Sequence, residues 1–161
     1  MNVQEIYDRF GERIYHYLSI KLGSLSDAED VLQEVFYRLS RFSIRFQLVR
    51  NPLAFVFKTA RNEANRYLSK RIRNLKGCRQ YEEFNEIIQN VISGPNLEDE
   101  ETVARALAQL PDEQREVIVL KYFEELTFQE IAAISGISMN TITSRYRYGM
   151  EKLRSNIEEG S

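Results

Sequence analysis

The sequence predicts an all-α protein: two small helical domains joined by a flexible linker, the C-terminal one a helix-turn-helix. Three observations carry this. Apolar residues recur at three-and-four spacing nearly everywhere, with no convincing alternating run of strand type. Helix-start signals recur, as a hydroxyl residue three places before a glutamate or as Asn-Pro. Charge is segregated in blocks: residues 38–79 hold 12 Lys/Arg against 1 Asp/Glu, whereas residues 81–125 hold 3 against 12.

Each element follows in order. A first helix is expected from about Val3 to Leu22, burying Ile6, Phe10, Ile14, Tyr17 and Leu18, with Gly23 ending it. Ser26 is expected to cap the second helix in a box with Glu29. Its buried stripe is Ala28, Val31, Leu32, Val35, Phe36 and Leu39, and its outer face carries Asp27, Asp30, Gln33, Glu34 and Arg38. Residues 41–51, RFSIRFQLVRN, are basic and aromatic without a regular period. Asn51-Pro52 then opens a third helix to about Leu75, because proline is tolerated in a first turn. Its buried side is Leu53, Val56, Phe57, Ala60, Ala64, Tyr67 and Leu68. Its other faces carry Lys58, Arg61, Asn62, Asn65, Arg66, Lys70, Arg71 and Arg73.

Composition shifts at Gly77. The acidic, Ser-Gly-Pro-containing stretch to Glu98 reads as a linker that includes one short amphipathic helix, which divides the chain into domains 1–76 and 99–161 with residues 77–98 between. Some twenty extended residues reach about 70 Å, about two turns of DNA. A helix from Glu100 to Leu110 and another from Pro111 to about Phe123 follow. Thr127 with Glu130 caps the next helix, Gly136 supplies a left-handed turn, and Ser138 caps the last. Ile131, Ala132, Ile137 and Ile142 are placed to pack this pair. Met139, Asn140, Thr141, Thr143, Ser144, Arg145 and Arg147 are left outward, short polar and basic groups of the kind that reach base edges and phosphates in a major groove. The same pattern also occurs in plain helical hairpins. Small Ala132 and Ala133, and the absence of any acidic residue in the last helix before Glu151, favour DNA.

Composition excludes several classes. One cysteine, Cys78, allows no internal disulfide and no cysteine-cluster zinc site, and His16 is the only histidine. With no glycine-rich phosphate loop, no catalytic constellation can be assembled, so neither an enzyme nor a bound cofactor is expected. No apolar run approaches the roughly 20 residues of a membrane span, and the first residues lack a secretory pattern, so the expected compartment is the cytoplasm. A net charge of −2 conceals the cationic block at residues 38–79, which suits phosphate neutralisation with counterion release.

Three stretches in order resemble the extracytoplasmic-function (ECF) class of bacterial RNA polymerase sigma factors. DAEDVLQEVFYRL, Asp27 to Leu39, is similar to the family's polymerase-docking helix. NPLAFVFKTARNEANRYLSKRIR, Asn51 to Arg73, is similar to the helix that melts and reads the −10 element. Leu110 to Leu153 resembles the domain that reads the −35 element. The resemblance implies a factor that directs core RNA polymerase to promoters. Asp27, Asp30, Gln33 and Glu34 would face the β′ clamp helices, and the C-terminal domain the β flap. Phe42, Phe46, Lys58, Arg61, Asn62, Asn65, Arg66 and Lys70 would serve the −10 strand, the two phenylalanines by stacking, with core packing as their alternative role. Ser138, Met139, Asn140, Thr141, Thr143, Ser144, Arg145, Arg147 and Tyr148 would serve the −35 duplex. An anti-sigma factor is an implied partner.

Departures from the family pattern are Phe55 for a frequent Trp, Phe57 for Tyr, Arg66 for an acid, Tyr146 for Leu and Tyr148 for Arg. The last leaves Arg147 as an alternative phosphate contact. The competing function is a stand-alone helix-turn-helix regulator that binds operator DNA as a dimer. It accounts for the C-terminal domain but not for the acidic second helix or the basic third.

Overall fold

The computed structural model describes residues 2–42, 45–73, 87–88 and 97–160, and among these every regular element is a helix. The chain divides into two compact units, one built on Met1–Cys78 and the other on Arg79–Ala132 and Gly136–Ser161.

The first unit is a three-helix arrangement of α1 (Val3–Leu22), α2 (Leu25–Arg41) and α3 (Pro52–Arg73), each packed on the other two. Asn2 opens α1 with a reciprocal capping box to Glu5, and Gly23 closes it at φ 68, where a side chain would be strained. The chain turns at once into α2, whose cap is Ser24, accepting from Asp27 N at 3.3 Å. The expected cap at Ser26 is therefore corrected by two residues: with α1 already closed at Gly23, an extended Ser24 starts the next helix with no spacer.

The stripes Ile6/Phe10/Ile14/Tyr17/Leu18 and Ala28/Val31/Val35/Phe36/Leu39 are buried against each other and against Val56, Phe57, Ala60 and Ala64 of α3. Each fully buried large side chain contributes about 1.5–3 kcal/mol. Tyr7 meets Phe36, and Tyr17 meets Phe57, edge to face, with centroids 5.0 and 5.5 Å apart. Leu32, Leu53, Tyr67 and Leu68 are only half-buried, at the margins of the stripes. Between α2 and α3 lies a 3₁₀ turn, Arg45–Leu48. Asn51 caps α3 by accepting from Ala54 N at 3.1 Å.

Most of the expected 77–98 linker lies outside the described residues; within it, Ile87 and Ile88 are helical and buried. Helix α4 (Leu97–Ala108) begins three residues before the expected start and ends two before the expected finish. Pro111 then precedes α5 (Asp112–Ile118), which runs into a π turn, Val119–Phe123. After it come α6 (Phe128–Ser135) and α7 (Met139–Gly160), the latter packed against α4 and α5. Gly149 lets α7 approach α5: a Cβ there would stand 3.0 Å from Ile118 Cδ1 and 3.2 Å from Gln114 Cβ.

The joint between α4 and α5 is held by Arg115, only 6% exposed. Its Nε donates to Leu107 O at 2.9 Å, its Nη2 to Ala108 O at 2.9 Å and Leu110 O at 2.6 Å, and its Nη1 to Asp112 at 2.7 Å. The carbonyls at a helix C-terminus have no partners within the helix, and one buried guanidinium supplies them here.

Candidate nucleic-acid interface and docking face

The helix-turn-helix forms as its local sequence dictates. Thr127 Oγ1 accepts from Glu130 N at 3.0 Å, and Glu130 Oε1 accepts from Thr127 N at 3.0 Å. Gly136, at φ 67, ends α6 and donates to Ala132 O at 2.9 Å. Ser138 Oγ accepts from Thr141 N at 3.3 Å, starting α7. Ile131 and Ile142 are buried between the two helices, with Ala132 and Ile137 half-buried beside them.

Helix α7 then presents Ser138, Met139, Asn140, Thr141, Arg147 and Tyr148 to solvent, while Thr143, Ser144 and Arg145 are half-buried on its flanks. The Thr143 hydroxyl is turned back on its own helix, toward Met139 O and Asn140 O at 3.0 and 2.9 Å. Arg145 is tethered to Glu113 of α5 at 3.5 Å, a contact that sequence spacing gave no means of finding. The two tyrosines that depart from the family pattern differ in fate. Tyr146 packs edge to face on Phe128 at 5.3 Å, which makes it part of the inner packing. Tyr148 stays 53% exposed with the Arg147 guanidinium over its ring at 5.0 Å.

In the first unit, α3 keeps a basic outer face. Lys58, Asn62, Arg66 and Lys70 are exposed, and Arg61 and Asn65 are half-buried. Its single acid, Glu63, is 6% exposed and lies 2.6 Å from Arg38 Nε and 3.4 Å from Arg66 Nη1. A carboxylate so buried is tolerable only with cations against it, and this one links α2 to α3.

Two expectations need correction here. Phe46 was a candidate stacking platform, yet it is 3% exposed and packs edge to face on Phe55 at 5.7 Å, as part of the core. Its partner candidate, Phe42, is 45% exposed. Asp27 was placed on the docking face, yet its carboxylate points toward α3, 2.9 Å from Arg71 Nη1. It also accepts from the Tyr67 hydroxyl. Desolvation first, and the Asp27 hydrogen bond second, push that phenol up to about 12.

The remaining docking candidates, Asp30, Gln33 and Glu34, are exposed, on two sides of α2. Gln33 lines an open groove of about 970 Å³ between α1 and α2, with Tyr7, Glu12, Glu29, Leu32 and Tyr37 among its walls. Asp30 and Glu34 line a smaller cavity of about 300 Å³ between α2 and α3, with Arg66 and Lys70. The acidic, tyrosine-lined character of the α1–α2 groove had a signal in the sequence that is easily overlooked: Tyr7, Asp8, Glu12 and Tyr15 recur at helical spacing along one side of α1.

Among the described residues no helix is long and apolar enough to cross a membrane. Residues 6–74 match the family Sigma-70 region 2, and residues 106–155 match Sigma-70, region 4. The chain is similar to the ECF RNA polymerase sigma factor RpoE of Cereibacter sphaeroides, 30% identical over 163 residues that cover 93% of this chain and 83% of the relative. It is also similar to the ECF RNA polymerase sigma factor SigW of Bacillus subtilis, 28% identical across 96% of this chain and 88% of the relative. Among solved structures, the sigma factor RpoE in complex with the anti-sigma factor NepR from Bartonella quintana superposes with a TM-score of 0.76 at 22% identity, covering 96% of this chain and 95% of that one. CnrH in complex with the cytosolic domain of CnrY gives 0.71 at 21% identity, covering 99% and 89%. The last two likenesses establish the fold.

Proposed function

The chain belongs to the ECF RNA polymerase sigma factors, which direct RNA polymerase to promoters, and from that premise we propose how its two units share the task. The first unit docks on core polymerase and holds the melted −10 strand; the second reads the −35 duplex. The observation that carries this division is the pairing of region 2 at residues 6–74 with region 4 at residues 106–155, in that order, on surfaces of matching chemistry.

The acidic groove between α1 and α2, with Gln33 in its wall, suits a basic helical partner carrying apolar anchors, and the β′ clamp helices are the proposed occupant. Asp30 and Glu34 flank it on the other side of α2. On α3, Lys58, Arg61, Asn62, Asn65, Arg66 and Lys70 track the −10 strand, with Phe42 as an open aromatic beside them. Opening the duplex costs about 1.4 kcal/mol of stacking per step, offset by capture of the freed strand on cations and exposed rings. On α7, Ser138, Met139, Asn140, Thr141 and Arg145 face base edges, while Arg147 and Tyr148 serve the phosphate side. The C-terminal unit would also rest on the β flap. The protein carries no chemistry of its own in this scheme, because the polymerase supplies catalysis in the cytoplasm where both work. A sigma factor of this fold, RpoE of Bartonella quintana, was captured with an anti-sigma factor, and the same class of partner is proposed here.

A dimeric operator-binding regulator would use α6 and α7 but leave the docking groove and the basic α3 without a role. The deciding experiment is run-off transcription with purified core polymerase on a promoter library. Promoter-specific transcripts are expected only when the chain is added, and a chain that fails to bind core polymerase overturns the proposal.

A further inference from the structure

We infer that Thr143 selects a thymine in the −35 duplex through its methyl group, with Met139 completing the apolar contact. The inference rests on the reading that α7 faces the −35 bases, and adds to it one base and the atoms that choose it.

Thr143 is the residue of α7 whose chemistry the fold alters most. By residue type it is one more hydroxyl on a polar helix. In place, its Oγ1 donates into the preceding turn, 3.0 Å from Met139 O and 2.9 Å from Asn140 O. A threonine inside a helix that bonds back in this way has committed its only donor to its own backbone. The Cγ2 methyl is then the group it offers a neighbour, and the side chain is still only half-buried.

A second apolar group lies beside it. Met139 is four residues earlier, hence on the same side of the helix one turn back, and is 52% exposed. Arg147, four residues further on, is also exposed and continues the line. The order along that line is thioether, methyl, guanidinium. The N-terminal part of a recognition helix meets base edges, so the apolar pair falls over bases and the cation nearer the backbone.

The major groove displays one apolar group, the C5-methyl of thymine, and a threonine methyl is among its natural contacts. Cytosine would bring an amino donor to this spot, and guanine two acceptors. Against a methyl and a thioether those polar groups would lose water without gaining a partner. One rival reading uses the same residue. The Thr143 oxygen keeps acceptor capacity and could take a proton from the amino group of adenine or cytosine. The two readings call for opposite substitutions: valine keeps the methyl and discards the hydroxyl, whereas serine does the reverse.

The test uses reconstituted holoenzyme and promoters that direct run-off transcription, with binding measured by competition. Each −35 thymine, on either strand, is replaced in turn by deoxyuridine, which removes the methyl and nothing else. At one thymine the replacement should weaken wild-type binding about 3- to 5-fold, the worth of one buried methyl. Thr143→Val should bind as wild type does and keep that thymine–uracil difference. Thr143→Ser should lose the difference at that position while keeping its responses at every other. Circular dichroism melting of both variants should match wild type. If no thymine responds, or if Thr143→Ser discriminates as well as wild type, the inference is overturned and the −35 reading stands. A Thr143→Val variant that loses its base preference would overturn it as well, in favour of the hydroxyl. A holoenzyme that binds promoters with intact and scrambled −35 elements equally would remove the −35 reading and this inference together.

Discussion

Replacing Arg115 with methionine should unfold the DNA-reading unit while leaving the docking unit folded. The guanidinium makes three bonds to backbone carbonyls at the end of α4 and one to Asp112. Asp112 is 73% exposed, so that bond is largely screened. The three carbonyl bonds are charge-assisted, each worth about 1.5–3 kcal/mol, but they share one side chain and do not add fully. Methionine retains much of the apolar contact and leaves the carbonyls under-satisfied, for an expected loss of about 3–5 kcal/mol. A unit of about 60 residues has about 3–9 kcal/mol in total, so the loss takes most of it. At roughly 4–8 °C per kcal/mol for a small domain, the melting midpoint falls by at least about 12 °C. The assay is thermal and urea unfolding of the full chain by circular dichroism, together with −35 duplex binding. A loss below about 1 kcal/mol, or an Arg115→Lys variant as stable as wild type, would refute the reasoning, because lysine cannot reproduce the planar fork.

Four further outcomes are expected. Phe46→Ala should destabilise the first unit by about 3–5 kcal/mol, whereas Phe42→Ala should leave its melting unchanged; equal effects in denaturation would reverse their assignment to core and surface. The raised Tyr67 phenol contributes stability that is complete below about pH 10 and is lost as pH climbs through about 12. Alkaline unfolding of Tyr67→Phe, followed beside an ultraviolet titration, should therefore lack that limb, and an unchanged limb would show the phenol titrates normally. Arg147→Ala should lower the slope of log affinity against log salt for the −35 duplex by about 0.9, with little change in base preference; an unchanged slope would mean Arg147 touches no phosphate. Gly149→Val, placing a branched side chain against Ile118 and Gln114, should cost more than about 1 kcal/mol in urea denaturation. Indifference there would mean α5 and α7 can part freely.

Signals confined to one turn of chain were legible in the sequence. The left-handed glycines at 23 and 136, the Thr127–Glu130 box and the Asn51-Pro52 start depend on neighbours within four residues, and the structure contains all of them. Ser24 and Ser26 each had an acidic residue three places on, and the choice between them turned on where α1 stopped. What the sequence could not show were contacts that join distant elements. Asp27 reads as one more acid on a polar face until α3 brings Arg71 and Tyr67 against it. Phe42 and Phe46, in one aromatic, basic stretch, differ in exposure fifteen-fold, and the second packs against Phe55. Arg115 lies among the acidic residues of an ordinary amphipathic helix, and nothing local reveals that the preceding helix ends on its guanidinium.

The π turn at Val119–Phe123 gives slack in chain length to the segment that follows. Glu124 N reaches back to Val119 O at 3.1 Å, a five-residue span where an α-helix would use four. Such a turn is what remains when a helix absorbs one additional residue without breaking. Deleting a single position there, with solvent-facing Tyr122 the mildest choice, would let the helix wind uniformly. A wide turn of five residues and an α turn of four sweep nearly the same angle and rise, so the segment downstream would keep its aim relative to α5. Arg145 would keep its reach to Glu113, and Gly149 its seat beside Ile118. A change of one residue in chain length would be tolerated at this turn, where the same deletion inside α7 would re-aim every base-facing side chain beyond it.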